Sequence, residues 1–132
     1  MVTYLVDTNI LLRLFLRDNE SQAKIVDKYF QNCKKGKLKI VVLSEVIPEI
    51  EFVLRKFYKI DKKVIVKYLS GLVNTLYIEI EKRVVWKQAI NIYRTNNVDI
   101  IDSLLYAESM NRKNEILCFD KDFNKIKLFS QL

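Results

Sequence analysis

Residues 1–15 read MVTYLVDTNILLRLF. Val2 to Val6 is a short run of β-branched, aromatic and apolar side chains, which predicts a buried strand. The run stops on Asp7, and Asp7-Thr8-Asn9 forms a cap-like cluster ahead of a second apolar stretch. A helix is predicted to follow, with Ile10, Leu11, Leu14 and Phe15 facing inward. A carboxylate between two apolar runs is costly to dehydrate. Asp7 is either a turn or cap residue, or it is held at the strand end for chemistry.

The alternation continues along the chain. Asp18-Asn19-Glu20-Ser21 starts a helix carrying Ala23, Ile25, Val26, Tyr29 and Phe30, closed near Gly36. Ile40 to Leu43 reads as a second strand. Ser44 caps a helix with the stripe Val46, Ile50, Val53, Leu54 and Phe57, and Pro48 falls in or near its first turn. Asp61 opens a helix with Val64, Ile65, Tyr68, Leu69 and Leu72 at helical spacing. Leu76 to Ile80 reads as a third strand, and Arg83 to Arg94 as a helix packing through Val85, Ala89, Ile92 and Tyr93. After a turn at Asn96-Asn97, Asp99 opens a helix with Ile101, Leu104, Leu105 and Met110. Glu115 to Phe119 reads as a fourth strand, closed by Asp120-Lys121-Asp122, and Ile126 to Phe129 as a short last one.

This pattern predicts an α/β fold, a single domain over residues 1–132 with a mostly parallel sheet of four to five strands flanked by helices on both faces. Ligands of such folds sit at the carboxyl ends of the strands. Asp7, Ser44 and Asp120 all fall there.

Composition narrows the chemistry. The 132 residues suffice for one real core and are too few for two. With 2 Gly and 1 Pro, no linker or low-complexity tract is expected. No apolar run approaches a membrane span, and an N-terminus with Asp7 in its apolar stretch and no basic region does not read as a signal peptide. Cys33 and Cys118 lack a metal-ligand spacing, so a reduced, cytoplasmic setting is expected. The chain has no histidine, which removes Ser-His, Cys-His and His-ligated zinc chemistry. Lys+Arg outnumber Asp+Glu by 23 to 16, a net charge of +7. That suits a polyanionic partner, and equally a well-solvated surface. The cluster Lys34, Lys35, Lys37 and Lys39 around Gly36 reads as a loop.

Acids stand beside apolar structure in four places: Asp7, the helix of Glu45, Glu49 and Glu51, the pair Asp99 and Asp102, and the pair Asp120 and Asp122. Each has a plain structural reading. Asp7 and Asn9 suit an Asx turn. Asp99-Ile-Ile-Asp102 suits a capping box. The glutamates suit a helix surface, with Glu49 and Glu51 at opposite edges of the apolar stripe. Taken together, strand ends and helix starts would deliver these carboxylates to one edge of a small sheet. Carboxylates in contact repel, and a hard divalent cation with oxygen ligands, Mg²⁺ or Mn²⁺, relieves this. Such an ion polarises a phosphodiester, and a basic surface around it fits a nucleic-acid backbone.

The stretches YLVDTNILLRLFL, VVLSEVIPEIEFVL, VDIIDSLLYAES and ILCFDKDFNKI, in that order and spacing, resemble the four signature blocks of the PIN domain family, most closely its compact VapC-type toxins. The resemblance covers nearly the whole chain. It implies a metal-dependent endoribonuclease that hydrolyses RNA phosphodiester bonds, the toxin of a toxin–antitoxin pair. It also implies a catalytic and metal-binding quartet of Asp7, Glu49, Asp102 and Asp120, supported by Asn9, Ser44, Asp99 and Asp122. Glu49 is chosen because EIEFVL matches the family's glutamate followed by an aromatic-Val-Leu turn. The partners implied are RNA, a cognate antitoxin and a second copy in a homodimer, for which the face with Tyr58, Ile60, Val64 and Tyr68 is a candidate. One position departs from the pattern. Cys118 stands where a Thr or Ser usually precedes the last aspartate, and a thiol is the poorer hydrogen-bond partner. Two other readings use the same residues. One is a catalytically idle RNA-binding or scaffolding module of this fold, against which the intact acids speak. The other is a Mg²⁺-binding receiver- or phosphatase-like domain, in which a second acid would stand where Asn9 does.

Overall fold

The computed structural model describes residues 1–119. Their order is β1 (Thr3–Leu5), α1 (Thr8–Leu16), α2 (Glu20–Lys34), β2 (Lys39–Val42), α3 (Val46–Lys56), α4 (Lys62–Val73), β3 (Glu79–Ile80), α5 (Arg83–Thr95) and α6 (Ile100–Arg112). The strands form one parallel sheet in the order β1-β2-β3, with Tyr4 opposite Ile40 and Val42 opposite Ile80. Parallel neighbours need crossovers, and the helices supply them. The α/β class is as the alternation of the sequence predicts.

The sheet has three strands among the described residues, not the four to five expected. Residues 115–119 form no strand, and Leu117 and Phe119 are fully exposed. β-prone residues become a strand only when their backbone pairs with a neighbour, and this segment joins none of the ladders among the described residues. The expected strand Ile126–Phe129 lies outside the described residues. β1 was expected to be buried and is exposed along its length, with Leu5 at 65 %. It is the edge of the described sheet, where it pairs with β2 alone among the described strands. The third strand is shorter than expected because Thr75 to Ile78 is spent on a turn, with Ile78 N–H donating to the Thr75 carbonyl. The Ile78 carbonyl, together with that of Val73, accepts from the Arg83 guanidinium, which ties the start of α5 to the end of α4.

The core lies where the amphipathic faces of α1, α3, α4 and α5 meet β2. Leu11, Ile40, Ile47, Ile50, Leu54, Ile65, Leu69, Trp86 and Ile92 are essentially free of solvent. Each such aliphatic side chain contributes about 1.5–3 kcal/mol. Some apolar residues expected inside are exposed instead. Phe57 lies one residue past the end of α3 and is 72 % exposed. Ile25 and Tyr29 face outward on α2. Ile101 and Leu105 line an open groove on α6 with Ile116. Of the lysine cluster only Lys35 and Lys37 lie in the turn, with Gly36 at φ +78°, whereas Lys34 closes α2 and Lys39 opens β2.

Candidate active site

β1 ends by pairing Val6 N–H with the Val41 carbonyl, and the chain then turns at Asp7. Asp7 is the N-cap of α1 in an extended conformation, and its Oδ1 accepts from Ile10 N–H at 3.1 Å. The cap role is therefore real. It uses one carboxylate oxygen, and the other makes no hydrogen bond among the described residues. Asp7 shares an open pocket of about 230 Å³ with Thr8, Asn9, Leu12, Val46, Glu49 and Val53. Glu49 enters from the first turn of α3, which packs against α1. Asp7, Asn9 and Glu49 are all exposed. Neither carboxylate forms an ion pair among the described residues, although the chain carries 23 cationic side chains. Two open, unneutralised carboxylates form an oxygen donor set of the kind that suits a hard divalent cation.

Asp99 is the N-cap of α6, and its Oδ1 accepts from Asp102 N–H at 2.7 Å. Its carbonyl accepts from the buried Ser103 hydroxyl at 2.8 Å. Asp102 is half-buried in the first turn of α6. It does not line the pocket of Asp7 and Glu49, and no group of three acids, cysteines or histidines among the described residues stands close enough to hold a metal. Asp120 and Asp122 lie outside the described residues.

Ser44 does not cap α3 through its side chain, as the sequence suggested. The capping position falls on Glu45, which makes no such bond. The Ser44 hydroxyl instead accepts from Trp86 Nε1–H at 2.9 Å, and its N–H donates to Glu81 Oε1 at 3.0 Å. It joins α5 to the start of α3.

The sequence places Glu51 with Glu45 and Glu49 as a helix-surface acid at the edge of the apolar stripe, and the structure corrects this. Glu51 is 1 % exposed and sits among Ile47, Ile50 and Leu54. Its Oε2 accepts from the Tyr93 hydroxyl at 2.7 Å and from Arg55 Nε–H at 2.9 Å. Burial and this bond push the Tyr93 hydroxyl well above the usual tyrosine range, while the carboxylate raises Arg55 further. Lys62 stands 4.5 Å from the centre of the Tyr93 ring and donates to the Asn96 carbonyl. Burial lowers its affinity for a proton and Glu51 partly restores it. Asp99 contributes to the field at Arg55, so the network borders the start of α6. The signal in the sequence was an acid in the apolar stripe with an arginine four residues on.

The family model for the PIN domain matches residues 4–128. The chain belongs to the PIN domain family. The matched stretch of this PIN domain includes Asp7, Glu49, Asp102 and Asp120 together with Asn9, Ser44, Asp99 and Asp122. The PIN domain is also similar to a curated VapC ribonuclease of Aquifex aeolicus (strain VF5), at 27 % identity over 124 residues, covering 92 % of this chain and 90 % of the relative. No solved structure gives a significant match. No helix among the described residues of the PIN domain is long and apolar enough to cross a membrane.

Proposed function

We propose that this PIN domain is a metal-dependent endoribonuclease that hydrolyses RNA phosphodiester bonds, acting in the cytoplasm as the toxin of a toxin–antitoxin pair. The observation that carries the reading is the pocket at the end of β1, where Asp7 and Glu49 stand open and without a cationic partner among the described residues. The likeness to a VapC ribonuclease over most of both chains supports the substrate class. Asp7 and Glu49, with Asp102 and Asp120, would hold Mg²⁺ or Mn²⁺, and Asn9, Ser44, Asp99 and Asp122 would support them. The ion, when bound, supplies charge that polarises a phosphodiester and makes water a stronger nucleophile. In the chain itself, the bond from Ile10 N–H fixes the Asp7 carboxylate and leaves its second oxygen unbonded among the described residues. The bond between Asp99 and the Asp102 amide fixes the backbone at Asp102. Lysines and arginines around the pocket hold the RNA backbone through salt-sensitive contacts. A cognate antitoxin and a homodimer complete the reading. On the face named for the dimer, Tyr68 is stacked on Phe15 at 4.9 Å, which leaves Tyr58 and Val64 as its exposed members.

A non-catalytic RNA-binding module of the same fold is the second reading. The position of Asp102 outside the Asp7–Glu49 pocket favours it.

The test is cleavage of a mixed pool of structured RNAs with Mg²⁺, with Mn²⁺ and with EDTA, beside Asp7→Asn shown to be folded. Metal-dependent cleavage that is lost in the variant supports the nuclease. Absence of both cleavage and metal binding leaves the non-catalytic module.

A further inference from the structure

The face of α3 that carries Glu49 continues away from the pocket. Phe52, Val53 and Lys56 lie three, four and seven residues on and share that face. Val53 lines the pocket beside Glu49. Phe52 and Lys56 are exposed, and Phe57 meets Phe52 edge-on with ring centres 6.2 Å apart. Together the two phenylalanines make a contiguous apolar patch on the surface.

A cation is fixed beside them. The Arg55 guanidinium lies 5.8 Å from the centre of the Phe52 ring. Its Nε and Nη2 donate to the buried Glu51, while Nη1 makes no hydrogen bond among the described residues. Arg55 therefore presents donors to solvent from a side chain whose freedom Glu51 has already removed, which lowers the ordering cost of binding. Residues 52–63 read FVLRKFYKIDKK, with one acid against five cations, of which Lys62 is taken up by the Tyr93 ring and the Asn96 carbonyl. The surface is aromatic and cationic together, and it begins at the carboxylates where a phosphodiester is proposed to sit.

That combination fits single-stranded nucleic acid, whose bases stack on rings while its phosphates meet cations. We propose that the α3 ridge of Phe52, Phe57, Arg55 and Lys56 is the platform that holds single-stranded RNA beside the Asp7–Glu49 pocket. Bases stack on the two phenylalanines, and Arg55 and Lys56 take phosphates. Glu51 is a positioning residue that acts through Arg55. The inference rests on the nuclease reading and names the part of the chain that grips the substrate.

The experiment is fluorescence anisotropy of a short, labelled, single-stranded RNA of mixed sequence in EDTA, where binding is read without cleavage. The protein is wild type, Phe52→Ala, Phe52→Trp, Arg55→Gln or Glu51→Gln, each checked by circular dichroism and size-exclusion chromatography. Phe52→Ala and Arg55→Gln are each expected to bind about tenfold more weakly. Arg55→Gln also lowers the salt dependence by about one phosphate contact. Phe52→Trp binds as wild type does, because stacking survives. Glu51→Gln weakens binding while leaving the salt slope in place. Wild-type affinity in both Phe52→Ala and Arg55→Gln, with RNA cleavage by wild type established, overturns the platform and spares the nuclease. A shift from dimer to monomer in Phe52→Ala with unchanged RNA affinity makes the ridge a contact between copies and also overturns it. Failure of wild type both to bind and to cleave RNA removes the nuclease reading and the platform with it.

Discussion

Tyr93→Phe removes one oxygen from the interior and little else. The ring stays packed, and Lys62 keeps its place over an aromatic face. What is lost is a buried bond of 2.7 Å from the hydroxyl to Glu51, a carboxylate 1 % exposed. A hydrogen bond to a charged group contributes about 1.5–3 kcal/mol, and because Arg55 still holds Glu51 the cost is set at about 2 kcal/mol. For a domain of this size that lowers Tm by about 4–10 °C. The pH dependence is the sharper test. An unfolded tyrosine ionises near about pH 10. In the fold, desolvation and the bond to Glu51 keep Tyr93 protonated well above that. The folded chain therefore retains a proton that the unfolded chain releases. This contribution to stability is complete below about pH 10 and is lost as the pH rises toward the folded value. By about pH 11 wild type loses about 1.4 kcal/mol through this group, whereas the phenylalanine variant has nothing there to lose. The other titrating groups are common to both chains and cancel. Urea unfolding of the two proteins at neutral pH and near pH 11 should show the gap closing from about 2 to about 0.6 kcal/mol. A gap that stays constant or widens would refute the idea that burial and the bond to Glu51 hold Tyr93 protonated.

Ser44→Ala leaves the Trp86 indole N–H without its acceptor in a fully buried site, at about 1–3 kcal/mol, and the emission of this single tryptophan should shift in the same variant. Leu54→Ala, at a position with no solvent exposure, is expected to cost about 2–5 kcal/mol in urea unfolding. Lys59 sits at φ 55°, where only glycine is at ease, so Lys59→Gly should raise stability by about 0.5–1 kcal/mol in the same assay. Asp7→Asn keeps an oxygen to accept from Ile10 N–H and should unfold close to wild type while losing divalent-ion binding measured by calorimetry; unchanged binding would remove Asp7 from the site.

The sequence by itself determined the order of the elements and several of their ends. Asp7, Asn19 and Asp99 carry the oxygen that caps the helix following them, and each bond spans three residues, so the signal is local and legible. Val46, Ile50 and Leu54 of α3 and Ile65, Leu69 and Leu72 of α4 repeat at helical spacing and are buried, while Phe57 and Val64 of the same predicted stripes are exposed. The pairing of Asp7 with Glu49 in one pocket was legible only as a pattern of signature blocks, because the two are separated in the chain by a helix pair and a strand.

Tertiary structure decided the rest, because burial and pairing depend on partners far away in the chain. Residues 115–119 have the composition of a strand and form none, since they pair with no strand among the described residues. β1 has the composition of a buried strand and lies at the described edge. Glu51 and Glu49 are two residues apart on one helix, so the turn of the helix sends one toward Tyr93 and the other into the open pocket. Only the position of α5 against α3 makes the first a buried structural acid and leaves the second exposed beside Asp7.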